Sequence, residues 1–119
     1  MTESSPTSSA LPPEGALSAR GGPSPTAYVI AHVEVTNPEQ YEEYKKLSTI
    51  AMKACGAEVC IRGGAVEVLE GDWSPSRVVM LKFPTMAQAR AFYTSVEYEA
   101  AKVARDGAAV MRMIIVDGV

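Results

Sequence analysis

The stretch Arg62-Gly63-Gly64-Ala65-Val66-Glu67-Val68-Leu69-Glu70-Gly71-Asp72-Trp73 sets two glycines between two β-type runs. In strict alternation Val59 and Ile61 share a face with Glu67 and Leu69, while Val66 and Val68 point the other way. The apolar pattern therefore changes phase across Gly63-Gly64. Two structures account for that change: a tight Gly-Gly hairpin, or a bulge that bends one long strand. The bent strand is the preferred reading, with segments Glu58–Arg62 and Ala65–Glu70. Gly71-Asp72-Trp73-Ser74-Pro75 then makes a turn.

Upstream of this stretch, Tyr28 to Val35 alternates. Val29, Ala31, Val33 and Val35 lie on one face, and Tyr28, Ile30, His32 and Glu34 on the other. Asn37-Pro38-Glu39-Gln40 follows as a helix start, with Asn37 as cap and Gln40 at the reciprocal capping-box position. Tyr41, Tyr44, Leu47, Ile50, Ala51 and Ala54 recur at helical spacing, and Gly56 ends the helix. Downstream, Arg77–Phe83 reads as an apolar strand buried on both faces. Thr85 and Gln88 open a second helical face through Met86, Ala89, Phe92 and Tyr93. Ser95 caps a further helix up to Asp106, and Ala109–Asp117 is the last strand. The order β-α-β-β-α-β is the ferredoxin-like α+β arrangement, an antiparallel sheet with helices on one face. The other face is still partly apolar. A second subunit is the expected cover.

The chain has 119 residues, enough for one domain. Residues 1–26 hold five of the eight prolines and no aromatic residue. Such a segment buries too little apolar surface to offset its ordering entropy, so it is expected to be a disordered tail dispensable for folding. The folded domain is expected over residues 27–119. The tail has neither a basic start nor an apolar core, which argues against a secretory signal. No run approaches the ~20 apolar residues of a membrane span. The net charge is −3, and the basic residues are scattered singly, which argues against nucleic acid. Cys55 and Cys60 are too few for a disulfide framework, so they read as small buried hydrophobes in a reducing, cytoplasmic setting.

Four segments carry a family resemblance: Ala27-Tyr28-Val29-Ile30, Asn37-Pro38-Glu39-Gln40-Tyr41-Glu42-Glu43-Tyr44, the Arg62–Trp73 stretch, and Phe92-Tyr93-Thr94-Ser95-Val96-Glu97-Tyr98. In this order they resemble the bacterial family known as domain of unknown function 1330. The chain departs from that pattern at Val96, where the family more often has proline. The resemblance implies a dimeric α/β-barrel, in which two ferredoxin-like subunits pack their sheets together. Cofactor-independent monooxygenases, haem-degrading enzymes, isomerases and dehydratases occur in the wider superfamily. Extending any of these here is fold-level analogy.

The candidate chemistry is sparse. His32 is the sole histidine and could move a proton, although a lone strand histidine is more often structural. Arg62 at the glycine-rich bend is the leading candidate, because its planar fork suits a carboxylate or enolate. A salt bridge to Glu67 or Glu70 is its equally weighted structural alternative. Glu67 could act as a base if buried. Tyr28, Tyr41 and Tyr93 are candidates to line a partly polar pocket between sheet and helices. Trp73 is a candidate lid or dimer contact. No metal-ligand spacing, phosphate loop or nucleophile elbow occurs, so no cofactor is expected. Two readings remain open. One is a small cofactor-independent enzyme acting on an anionic aromatic or polyketide-like molecule. The other is a non-catalytic binding or dimeric scaffold protein.

Overall fold

The structure, a computed structural model, describes residues 26–119. Strand β1 spans Ala27–Val35, helix α1 Pro38–Ala54, β2 Glu58–Arg62 and β3 Arg77–Phe83. Helices α2 (Met86–Tyr93) and α3 (Val96–Arg105) precede β4, Ala109–Asp117. The strands form one antiparallel sheet in the order β2-β3-β1-β4. This is the expected ferredoxin-like arrangement, with the second helical segment divided at Ser95. The expected tail lies outside the described residues except for Thr26. The Thr26 carbonyl accepts a hydrogen bond from the Gly118 amide at 2.6 Å, which ties the start of the domain to its end.

The strand period decides which side chains meet the helices. Ala27, Val29, Ala31 and Val33 of β1 are buried and pair with Phe83, Leu81, Val79 and Arg77 of β3. These residues pack against Tyr41, Tyr44, Phe92 and Tyr98 from the helices. Burying one large apolar side chain contributes roughly 1.5–3 kcal/mol, so this single layer holds most of the driving force for folding. The opposite face carries Tyr28, Ile30, His32 and Glu34, with Val78 and Met80 of β3 and Ile114 and Val116 of β4 beside them. Val78 and Met80 are only half-buried, so β3 is not covered on both faces within one chain.

Helix starts follow the sequence closely. The Gln40 amide donates to Asn37 Oδ1 at 3.2 Å, the Gln88 amide to Thr85 Oγ1 at 3.1 Å, and the Tyr98 amide to Ser95 Oγ at 3.1 Å. The Gln40 side chain, however, does not return to the Asn37 backbone. Its Nε2 donates to the carbonyls of Ala104 and Asp106, at 3.0 and 2.6 Å. It thereby satisfies the carbonyl end of α3 and fixes α3 beside α1. The buried stripe of α1 is also rotated from expectation. Ser48 is buried, while Ile50 is 56% exposed.

The stretch after Arg62 differs most from its reading. Residues 64–69 form neither a hairpin nor a strand. The sheet irregularity lies earlier, between Val59 and Ile61, where the register against β3 shifts. The Gly63 amide still donates to the Val78 carbonyl at 2.9 Å, and then the chain turns away with φ +75 at Gly63. Val66, Val68, Leu69 and Trp73 are consequently exposed. Cys60 is exposed and Cys55 half-buried, so the pair does not form the small buried hydrophobes that were expected.

Candidate active site between sheet and helices

A cavity lies between the helix side of the sheet and α1. Its floor is Val29, Ala31 and Val33, and its roof is Tyr41, Tyr44 and Ser48. Arg62 and Arg77 stand at one end of this lining, from adjacent strands; Phe92, Tyr98, Met111 and Met113 complete it. The space measures about 20 Å³, room for one water molecule. A wider hollow of about 630 Å³ opens beside β4 between Arg90, Tyr93 and Arg105. The two share Val29, Met111 and Met113, so flexible methionine side chains form part of the partition between them.

The polar groups fall into two sets. At the arginine end, Arg62 Nη2 donates to Thr49 Oγ1 at 2.7 Å and to the Lys45 carbonyl at 3.3 Å. The Arg77 guanidinium lies 5.7 Å from the centre of the Tyr41 ring. Among the described residues neither arginine has a carboxylate within 4.0 Å. The alternative of a salt bridge from Arg62 to Glu67 or Glu70 is therefore not realised among them. Burial pushes the Tyr41 hydroxyl above its ordinary value, helped by Tyr44 and opposed by Arg77 and Arg62.

At the far end, the hydroxyls of Tyr44 and Tyr98 are 2.7 Å apart. Arg105 Nη1 donates to the Tyr98 oxygen at 2.8 Å and approaches Met111 Sδ at 3.0 Å. Burial drives the Tyr98 pKa far upward, with the neighbouring Tyr44 adding to it and Arg105 opposing. Tyr98 therefore stays a neutral hydrogen-bonding group in the folded chain. The sign of the linkage follows. Unfolded tyrosine ionises near 10.0, while folded Tyr98 resists. The unfolded chain thus binds fewer protons above that value, and stability falls as pH rises through it. We expect urea midpoints to drop as the pH rises beyond 10.0. Tyr98→Phe should flatten that drop; an unchanged alkaline slope would contradict the assignment.

The expected site residues are divided by the sheet. Arg62 and Tyr41 line the cavity. Tyr93 lines the wider hollow instead, with Lys102 Nζ 3.7 Å above its ring. His32 and Tyr28 do not reach the cavity, because their even-numbered positions in β1 point to the helix-free face. His32 meets Trp73 there, edge to face, with ring centres 5.9 Å apart. Glu67 is exposed in the irregular segment and is not buried as a base would require. Among the described residues no three His, Cys, Asp or Glu side chains converge as a metal site, and no helix is long and apolar enough to cross a membrane.

Sequence reasoning missed Arg77 and Arg105. Arg77 is in phase with Val79, Leu81 and Phe83, so an inward arginine was legible from parity alone. Arg105 lies seven positions after Tyr98, on the same face of α3.

Solved structures share this fold at low identity. A protein of unknown function from Rhodopseudomonas palustris is 19% identical with a TM-score of 0.64, over 91% of this chain and 95% of that one. The cofactor-independent oxygenase SnoaB from Streptomyces nogalater is 11% identical with a TM-score of 0.51, over 77% of this chain and 90% of that one. A conserved protein of unknown function from Bacteroides thetaiotaomicron is 13% identical with a TM-score of 0.53, over 81% and 99%. Likeness at this level carries the fold. No curated protein matches the chain in sequence. The chain belongs to the family described as domain of unknown function 1330, whose profile matches residues 26–119.

Proposed function

We propose that the protein is a cytoplasmic homodimer that binds a small organic anion, aromatic or polyketide-like, between sheet and helices, and acts on it without a bound cofactor. The observation that carries this reading is the arginine pair at the end of a tyrosine-lined cavity, with no carboxylate among the described residues within 4.0 Å of either guanidinium. Positive charge of this kind favours a carboxylate or a developing enolate. His32 and Glu67 stand outside the cavity, and no other histidine or carboxylate lines it. Proton removal then falls to the substrate's own acidity. Phenols and 1,3-dicarbonyl compounds release their proton to water more easily when guanidinium groups stabilise the anion, and the neutral Tyr44–Tyr98 pair at the far end can hydrogen-bond a second polar group of the same molecule. The fold shared with a cofactor-independent oxygenase is compatible with this chemistry.

One observation favours the second reading, a binding or scaffold protein without turnover: the cavity now admits only a water. A ligand would have to displace Met111 and Met113 toward the wider hollow, where drug-sized volume exists. Titration calorimetry with a panel of phenolic carboxylic acids, run in parallel with an oxygen electrode, separates the readings. Saturable binding with oxygen uptake supports the enzyme. Saturable binding without turnover of any panel member supports the binding protein. No binding at all would sink the enzyme and the binding protein alike and leave only the dimeric scaffold.

A further inference from the structure

Arg77 occupies a place where an apolar strand would take an aliphatic residue. It opens β3 opposite Val33, on the helix side of the sheet. Its Nε is buried and has no hydrogen-bond partner. Folded proteins retain few buried donors in that condition, and those that persist call for a functional account. Arg62 differs, because its Nη2 already bonds Thr49 and the Lys45 carbonyl. Lys45, the other cation in the lining, pairs with Glu42 at 2.8 Å. Of the three positive groups around the cavity, Arg77 is the one with a buried donor that lacks a partner among the described residues.

The backbone holds Arg77 in that state. Gly63 has φ +75, and a Cβ built there would overlap the Arg77 guanidinium. The Gly63 amide is itself fixed to the Val78 carbonyl at 2.9 Å, next in the chain to Arg77. Glycine thus suits this position for the turn, and its missing Cβ leaves room for the guanidinium. The Tyr41 ring lies 5.7 Å from the guanidinium carbon. The guanidinium is thus confined between a glycine and an aromatic ring, which limits its side-chain freedom before any ligand arrives.

We propose that Arg77, seated by Gly63, is the anion-receiving residue of the cavity, and that the group it receives is a planar carboxylate. Nε and one Nη of an arginine form an edge whose two N–H bonds match the two oxygens of a carboxylate. Beyond Arg62 and Lys45, most of the lining is aliphatic and aromatic, which suits the hydrocarbon body of a carboxylic acid. Arg62 adds flanking positive charge. This rests on the reading of the cavity as an anion pocket and changes which arginine carries it.

The test uses the full chain labelled with nitrogen-15, with benzoate as probe and benzamide as its uncharged counterpart. Arginine Nε–Hε resonances are assigned from Arg77→Lys and Arg62→Lys spectra. The Arg77 resonance should move saturably with benzoate and stay in place with benzamide. Arg77→Ala should weaken benzoate binding by about ten- to a hundred-fold, and by about tenfold more than Arg62→Ala does. Gly63→Ala should weaken it comparably by displacing the guanidinium, with circular dichroism unchanged. If Arg77→Ala fails to fold, the wild-type resonance and Arg77→Lys still decide. A shift at Arg62 alone, with Arg62→Ala the more damaging change, overturns the assignment to Arg77 and leaves the anion pocket standing. Movement at neither arginine overturns both.

Discussion

Replacement of Tyr98 by alanine is expected to destabilise the chain by about 3–5 kcal/mol, the range for removing a large aromatic side chain from a core. Native stability is typically only 5–15 kcal/mol, so a substantial unfolded population should follow. Tyr98 is 1% exposed. Its ring centre lies 4.6 Å from that of Phe92, 5.8 Å from Tyr93 and 6.2 Å from Tyr44, and it joins α3 to α1 and α2. Alanine would also strip the acceptor from Arg105 and the partner from Tyr44. Tyr98→Phe keeps the ring and loses only the hydroxyl contacts. Leaving those buried groups unpaired should cost about 1–3 kcal/mol. Chemical denaturation of both variants measures the split. Equal losses would mean that the hydrogen bonds, and not the ring, hold the three helices to one another.

Replacement of Ile30 and Ile114 together by aspartate is expected to convert a dimer into monomers. The two residues are cross-strand neighbours on the helix-free face of the sheet. Ile114 is 57% exposed, and Val66, Val68, Leu69 and Trp73 are exposed as well. A face of this composition needs a cover, and in the proposed homodimer a second copy would supply one by two-fold symmetry. Each apolar side chain buried there contributes about 1.5–3 kcal/mol, and the symmetric interface loses four of them. The dissociation constant should therefore rise by more than about ten-thousand-fold. Sedimentation velocity checks this, with circular dichroism confirming that the monomer stays folded. A wild-type chain that sediments as a monomer at micromolar concentration would refute the pairing.

Local rules accounted for most of the fold. Asn37, Thr85 and Ser95 cap their helices because their side-chain oxygens reach backbone amides within one turn. The parity of Val29, Ala31 and Val33 against Tyr28, Ile30 and His32 separates the two faces of β1 for a purely geometric reason, since successive side chains alternate. Long-range choices were less legible. Gln40 satisfies the end of α3, more than sixty positions away, through its Nε2, while its Oε1 accepts from the Asn37 side chain. The segment Ala65–Glu70 reads as a strand, yet the chain turns off the sheet at Gly63 and leaves it unpaired.

The candidate site shows the same division. Sequence alone determined the antiparallel α+β layout, the polar and apolar faces of β1, and the presence of an arginine at a glycine bend. Only the tertiary structure decided that His32 and Glu67 stand away from the cavity, while Arg77, Tyr44, Tyr98 and Arg105 surround it and its neighbouring hollow. The reason is physical. Alternation along a strand sorts side chains into two faces, but which face receives the helices, and which distant side chains meet beneath them, is set by packing between elements that no local pattern encodes.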